Sequence, residues 1–541
     1  VLTSLIRHAP AAPCWRAVCR LARALAVCAP LSLVAACATH PPATSLERTV
    51  SHALPADAAT PLRTALAAPE AAHPGQSGFR LLADGAAALQ MRIALARAAT
   101  RTLDMQYYIA TEDTTGKLLL GAALYAADRG VRVRMLVDDL NFRDIDRVMA
   151  ALNTHPNIEI RVFNPFGVSQ QRVMQRTANF FTRIDRFTRR MHNKAMIADN
   201  RIAIVGGRNL GDEYFSASPT LQFRDLDVLA AGPVTRDISA SFDAYWASGS
   251  SYPLRVLNHQ TFDPKDLDAM RDELRAHWRE NAEPYNAKPL NATPLAQQIA
   301  RGELGLVWAP AEFEADAPDK VAQPTDGYVS PPMRRLAELI RTAQQEFLAF
   351  SPYFVPHDAG VKILGDTTAR GVRVAILTNS LAATDAVAVQ AGYGPYRAPL
   401  LRHGVELYEY KARPDRQRPR LFGSRSRASL HAKAYVIDRK ILVIGSMNLD
   451  PRSTHLNTEL ALVIHSPALA QQVATIFARA TQPDESYRVQ LAAPSGPGAS
   501  ELMWTGTDDG VLHTYHVDPY AGLLRNLLTG VFMLLPVDDQ L

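Results

Sequence analysis

Cysteine is nearly missing from this chain. Its four cysteines are Cys14, Cys19, Cys28 and Cys37, and none follows Cys37. That excludes a disulfide framework and a cysteine-based metal site from the body of the protein. Net charge is also scarce. Lys and Arg number 58 against 53 Asp and Glu, a formal +5. Arg7, Arg16, Arg20 and Arg23 lie in residues 1–36, which hold no acid, and setting those four aside leaves about +1. The broad basic surplus of a nucleic-acid enzyme is therefore lacking. Long hydrophobic runs are lacking too: Ala24 to Ala36, interrupted by Pro30, is too short to span a bilayer. What remains is ordinary for globular proteins, 47% hydrophobic and 21% charged, in a length that suits two to four domains.

Arg16, Arg20 and Arg23 ahead of that apolar stretch read as an export signal over residues 1–36. It closes on Leu33-Val34-Ala35-Ala36-Cys37, which resembles a bacterial lipobox. The resemblance implies cleavage before Cys37, lipidation of Cys37 and a membrane-anchored lipoprotein facing the periplasm. Ala38 hints at outer-membrane sorting, with the choice of membrane left open. The alternative is a plain signal cleaved after small residues, with Cys37 incidental. Residues 37–77, rich in Ala, Pro, Ser, Thr and His, read as a flexible linker, with ordered structure expected from Gly78.

The chain then repeats itself once. Leu103 to Ile109 matches Phe347 to Phe354, Gly130 to Leu136 matches Gly371 to Leu377, and Asn157 to Val162 matches Gly404 to Glu409. Each is a short β-rich run, and helical patterns separate them, as at Ala86 to Ala99 and Met333 to Gln345. The expected fold is α/β: two similar lobes, each a mixed β-sheet flanked by helices, over 78–255 and 302–485. Residues 256–301 connect them with one helix, Pro264 to Asn281. Residues 486–541 form a tail whose amphipathic end, Leu523 to Pro536, either touches a bilayer or packs on a lobe.

Chemistry concentrates in two matched segments. One runs Met191-His192-Asn193-Lys194 to Asp199, then Gly206-Gly207-Arg208-Asn209. The other runs Leu430-His431-Ala432-Lys433 to Asp438, then Gly445-Ser446-Met447-Asn448. Both share every spacing from His through Lys and Asp to Gly and Asn. On a strand, positions i and i+2 share a face, so His192 projects with Lys194 and His431 with Lys433. The Asp-Asn step at Asp199 and the Asp-Arg-Lys step at Asp438 are turn chemistry. Return strands then bring Asn209, Ser446 and Asn448 to the same end. If the lobes pair about a pseudo-twofold axis, these groups converge in one cleft.

These motifs resemble the two HKD motifs of the phospholipase D superfamily. More narrowly, Val205 to Phe215, Ser351 to Pro356, Asp450-Pro451-Arg452-Ser453 and the closing Leu535-Pro536 and Gln540-Leu541 resemble its bacterial cardiolipin synthase C branch. The likeness covers roughly residues 80–541. It implies a phosphatidyltransferase with a catalytic set of His192, Lys194, Asp199, His431, Lys433 and Asp438. Phosphate is held by the lysines with Asn209, Ser446 and Asn448. His192 is the nucleophile and His431 the acid/base, an assignment the near symmetry leaves open to exchange. Asp199 and Asp438, as turn residues, are expected to support their hairpins instead of touching substrate. The family places an acid after each motif to orient an imidazole; Glu459 fits in the second half, and Asp227, a shorter side chain than usual, is the candidate in the first. No cofactor and no metal are implied. His455 reads as structural or rim.

Two basic stretches, Arg172 to Arg190 with Phe180, Phe181 and Phe187, and Lys411 to Arg427, flank the motifs. They are solvated loops, a cleft rim facing an anionic membrane, or a base-stacking surface. Three activities follow: phosphatidyl transfer from phosphatidylethanolamine to phosphatidylglycerol, making cardiolipin; hydrolysis to phosphatidic acid; or an exported nuclease. The first is preferred, with phospholipid substrates, a membrane, no nucleic acid and room for an accessory protein. A purely binding role gives no reason to keep both motifs.

Overall fold

The computed structural model describes residues 48–139, 146–165, 188–257, 263–283, 295–323, 328–412, 427–493, 501–522, 525 and 529. The export signal, Cys37, most of both basic stretches and the amphipathic tail lie outside them. Among the described residues no helix is long and apolar enough to cross a membrane.

The first sheet contains β1 (Ser77–Leu82), β2 (Thr102–Tyr107), β3 (Arg132–Asp138), β4 (Ile158–Phe163), β5 (Ala195–Ala198), β6 (Ile202–Gly206), β8 (Asp227–Ala231), β9 (Ser251–Pro253) and β10 (Val307–Ala309). Their order is β10-β1-β8-β6-β5-β2-β3-β4-β9. The second contains β11 (Ala311–Ala315), β12 (Glu346–Phe350), β13 (Arg373–Asn379), β14 (Glu406–Tyr410), β16 (Ala434–Ile437), β17 (Ile441–Gly445), β18 (Leu460–Ile464), β19 (Ser486–Leu491), β20 (Leu502–Asp508) and β21 (Val511–Tyr515). Its order, β11-β18-β17-β16-β12-β13-β14-β19-β20-β21, repeats the run from β1 to β9 strand for strand, leaves β10 without a counterpart and adds the hairpin β20–β21. In each lobe three strands run parallel, β2-β3-β4 and β12-β13-β14. The two-lobed α/β architecture read from the internal repeat is the one observed.

The sheets face each other. Alternate side chains from both, among them Val205, Val228 and Ala230 from the first and Ile444, Leu460 and Leu462 from the second, merge into one buried core. A two-stranded parallel sheet of β7 (Leu221–Arg224) and β15 (Arg427–Leu430) stitches the lobes directly.

Three expected boundaries move. Residues 61–72 of the presumed linker form α1 (Pro61–Ala72), started by Thr60, whose hydroxyl accepts from Arg63 N at 3.1 Å, with Pro61 in the first position. Leu62 and Leu66 are buried on it. Upstream, the extended backbone caps guanidinium groups: Arg161 Nη2 donates to Thr49 O (2.6 Å) and Arg134 Nη1 to Ser51 O (2.9 Å). Residues from 48 onward are thus packed against the lobe, because buried arginines need acceptors that these carbonyls supply. In the presumed tail, β19 pairs with β14 and extends the second sheet. Between lobes, β10 belongs to the first sheet, and Pro310 alone separates it from β11 of the second. The connecting helix α5 covers Pro264–Asn281 as read from its pattern, capped at both ends of its first turn by Asp263 and Asp266. The longer helices between them are α2 (Gly85–Ala98), α3 (Thr114–Asp128) and α4 (Val234–Ala247).

Asp199 and Asp438 sit in the two hairpin turns with φ of 52° and 53°, each followed by a second left-handed residue. Their carboxylates leave the cleft. Asp199 accepts from Thr100 N (3.0 Å), Thr100 Oγ1 (2.8 Å), Arg101 N (2.8 Å) and Thr102 N (2.9 Å), and Asp438 accepts from Gln344, Gln345 and Glu346 amides at 3.0, 2.7 and 3.0 Å. Each clamps the start of the neighbouring strand, β2 or β12. Counting them with the catalytic set is corrected accordingly, and their turn role stands. Asp199→Ala strands three amides and should cost about 2–4 kcal/mol in chemical denaturation. Asp438, half-buried, should cost less. The remaining folded Asp199→Ala enzyme should turn over near the wild-type rate, and a turnover collapse at full foldedness would contradict this placement.

Candidate active site

The His-x-Lys segments, expected on strands, lie just before β5 and β16 instead, where each is gripped by the other lobe. His192 N donates to Thr458 O (3.0 Å) and Thr458 N to Arg190 O (2.9 Å). In mirror fashion, His431 N and Ala432 N donate to Arg224 O at 2.8 and 3.0 Å. The residues after Thr458 and Arg224 are acids, and each turns onto the imidazole. Glu459 takes His192 Nδ1 at 2.9 Å, and Asp225 takes His431 Nδ1 at 2.6 Å. The orienting carboxylates are therefore exchanged between the lobes. With Nδ1–H given to a carboxylate, Nε2 is the nitrogen left to do chemistry.

Asp227, expected to orient an imidazole, does not touch one. Its carboxylate is buried between Arg92 (2.9 Å) and Arg208 (3.1 Å). The reason is register: Asp227 opens β8 opposite Gly206, whereas Ala461 of β18 lies opposite Gly445. The true counterpart of Glu459-Leu460 is Asp225-Leu226, a likeness readable in the sequence as an acid-Leu step just before a strand. The shorter acid fits because Gly207 stands beside it; a Cβ there would lie 2.2 Å from Asp225 Oδ1. In the other lobe that position is Ser446. Its hydroxyl donates to Glu459 at 2.5 Å, joined by Ser453 Oγ at 2.8 Å. Ser446 thus supports the carboxylate, and its expected phosphate-binding place is corrected.

Lys194 and Lys433 each donate to the carbonyl of their own histidine, both at 2.5 Å. The ammonium of Lys194 lies 5.2 Å from the Tyr108 ring centroid. Tyr108 meets His192 edge-on at 5.1 Å and Tyr214 meets His431 likewise at 5.3 Å. Asn209 holds Tyr214 through its amide (2.9 Å to Oη) and accepts from Ile109 N (3.2 Å). Asn448 keeps a buried amide oxygen with no partner, and a half-turn of that amide presents its NH₂ there. His455 bonds the Tyr328 carbonyl at 3.0 Å, outside this set. Among the described residues no His, Cys, Asp and Glu gather as a metal-binding group.

The cleft is short of negative charge. Burial holds His192 well below its ordinary value, helped by Lys194, Lys433, His431 and Arg452. Burial also lowers His431, with Lys433, but Asp225 and Asp385 push back. Burial drives Lys194 well down and Lys433 to about 8. Burial raises Glu459 against the pull of Lys194, Ser446 and Ser453. For Asp225 burial is outweighed by His431, and its carboxyl ends below its usual value. His192 is thus a neutral imidazole on a carboxylate, while the His431 pair favours the proton more. Such an arrangement suits attack by one nitrogen and proton transfer by the other.

Two imidazoles, two buried ammonium groups and exchanged carboxylates define a phosphodiester-transfer site of the phospholipase D type. A family described as "Cardiolipin synthase, PLD-like domain" matches residues 92–246 and 336–481, one match per lobe. The chain belongs to this family and is a phospholipase D-type phosphatidyltransferase. It is 42% identical to cardiolipin synthase C of Escherichia coli K12 over 77% of this chain and 88% of that one. An uncharacterized Helicobacter pylori protein is 30% identical over 88% and 92%. Among solved structures, a Haemophilus influenzae phosphatidylserine synthase shares the fold at a TM-score of 0.52 and 15% identity, covering 79% of this chain and 91% of that one.

Asp225→Asn should cut turnover by about a hundredfold to ten-thousandfold with little loss of stability, since it disturbs the tautomer its imidazole must hold. Asp227→Asn should do the reverse, costing about 3–5 kcal/mol by leaving Arg92 and Arg208 underpaired in the interior. Steady-state rates beside denaturant melts separate the two; equal kinetic defects would reject the exchanged pairing.

Proposed function

We propose that this enzyme makes cardiolipin, passing a phosphatidyl group from phosphatidylethanolamine to the glycerol hydroxyl of phosphatidylglycerol through a covalent phosphohistidine. The observation that carries this reading is the pair of imidazoles, each tied at Nδ1 by the other lobe's carboxylate and each leaving Nε2 to one lysine-lined cleft. The name of the Escherichia coli relative supports the lipid product. His192, the more firmly neutral of the two, attacks phosphorus. His431, the better proton holder, protonates the departing headgroup oxygen and then deprotonates the incoming hydroxyl. Lys194, Lys433 and the amides of Asn209 and Asn448 meet the phosphoryl oxygens as charge builds on them. We further propose export, with lipidation at Cys37 anchoring the enzyme on the periplasmic side of a membrane. Labelled palmitate incorporated in cells and lost in Cys37→Ser tests that anchor.

Purified enzyme given vesicles of labelled phosphatidylethanolamine and phosphatidylglycerol should yield labelled cardiolipin. Phosphatidic acid as the main product would mean hydrolysis, and inertness toward lipid with cleavage of DNA would mean a nuclease. His192→Ala and His431→Ala should each abolish turnover, and full activity in either would refute the shared cleft.

The pH profile gives a second check. Lys433 must be charged to hold the phosphodiester, so in the free enzyme kcat/KM should fall as pH rises through about 8. Bound substrate supplies an anion that favours the ammonium, so the same limb in kcat should move to higher pH. Coincident limbs would remove Lys433 from this role.

A further inference from the structure

The strand β13 ends at Asn379, whose side chain brackets the residue before His431: Nδ2 donates to Leu430 O (2.9 Å) and Oδ1 accepts from Leu430 N (2.8 Å). The loop that follows is tied down at several points. Ala383 N donates to Ser380 O (3.0 Å) and Ala386 N to Thr384 Oγ1 (3.1 Å). Arg525 Nη1 donates to Leu381 O (2.7 Å) and Thr384 O (2.9 Å). This braced loop presents one exposed carboxylate, Asp385, which accepts from Tyr353 Oη at 2.8 Å. Its charge reaches His431, Lys433 and Tyr214. Among the described residues no ion pair joins it to Lys433, whose Nζ donates to the His431 carbonyl, or to Arg525, whose Nη1 donates to the two loop carbonyls. On the opposite flank Arg452 acts on His192, and both Asp138 and Arg452 act on Tyr108. The His431 flank thus carries a second carboxylate beside the one that orients its imidazole.

An in-line displacement at phosphorus puts the departing group opposite the attacking atom. With His192 attacking, that group lies on the His431 flank, under the Asp385 carboxylate. We propose that Asp385, held by Tyr353, is a specificity residue that favours a phospholipid whose departing headgroup carries an ammonium. The inference rests on the roles given above to the two histidines. In the step concerned, the P–O bond to the headgroup breaks as the P–N bond to His192 Nε2 forms. A proton passes from His431 Nε2 to the headgroup oxygen, and the amino alcohol leaves with its ammonium unchanged. A neutral or anionic headgroup gains nothing from this carboxylate.

The test uses the full chain and two vesicle preparations, one with phosphatidylethanolamine and one with phosphatidylglycerol as sole donor, reading release of ethanolamine or glycerol. Wild type should release ethanolamine with the higher kcat/KM. Asp385→Asn should lower the ethanolamine-to-glycerol ratio about tenfold, or about 1.4 kcal/mol. Asp385→Lys should lower it further, and Asp385→Glu should restore it. Equal losses on both lipids, or an unchanged ratio in both the Asn and Lys variants, would overturn the proposal, as would wild type favouring glycerol release. Wild type releasing neither headgroup would instead sink the phosphatidyl-transfer reading and this inference with it.

Discussion

Everything in this cleft depends on an exchange between the halves: the carboxylate that orients each imidazole comes from the other lobe. The exchange is built from backbone first. Arg224 and Thr458 carbonyls take the amides of His431 and His192, and only then do Asp225 and Glu459 turn inward. One lobe alone would hold a histidine without its acid and an acid without its histidine. Each would be a buried polar group lacking its partner, which costs more than the bond itself is worth. Lobe pairing and site assembly are for that reason a single event. The shared core between the sheets and the β7–β15 stitch supply the binding energy that this event requires.

The pseudo-symmetry stops short of identity, and the differences set the roles. Behind Glu459 stand two hydroxyl groups, and Asp316 takes the Glu459 amide (2.8 Å) while accepting from Lys320 (2.9 Å). Behind Asp225 stands no serine, because Gly207 occupies the place of Ser446; Arg208 instead grips the Asp225 carbonyl at 2.8 Å and pairs with Asp227. The shorter acid sits nearer its imidazole, 2.6 Å against 2.9 Å. A carboxylate held below its usual value and closer to its partner favours the charged imidazole. A carboxylate whose charge is already shared with two hydroxyl groups favours it less. Two copies of one motif thus present imidazoles with different supports, and the proposed division into nucleophile and acid rests on that difference.

Much of this was legible in the sequence, and the losses have physical causes. The strand repeat and motif spacing carried the two lobes, the histidines and the lysines, because period-two patterning and fixed turns are local properties. The helix Pro264–Asn281 was readable from its caps and pattern. Asp225 was not chosen, because the loops between Asn and acid differ in length in the two halves, so counting from the motif does not decide between Asp225 and Asp227. Aligning Asp225-Leu226 with Glu459-Leu460 would have found it. Ser446 was misplaced because a serine beside a phosphate site reads as a donor to phosphate, and only geometry shows Glu459 taking its proton. The segment from residue 48 looked like linker because its value lies in its carbonyls, which cap Arg134 and Arg161, and carbonyls carry no sequence signature. Asp385 has no motif at all, and only the folding of its loop brings it to Tyr353.

The cleft is electrostatically unfinished. Among the described residues the direct acceptors of buried Lys194 and Lys433 are backbone carbonyls, and burial pulls both ammonium groups toward neutrality. A protein optimised for stability alone would place carboxylates against them or exchange them for apolar residues. Here the two nearest carboxylates are committed to the imidazoles, so the missing negative charge has to come from a phosphodiester. The deficit deepens the reward as phosphorus becomes five-coordinate, because charge then concentrates on the oxygens that the ammonium groups face. The same deficit keeps His192 neutral before substrate arrives. Nucleophilicity and anion binding therefore follow from one shortage of negative charge, maintained by lending each acid across the seam.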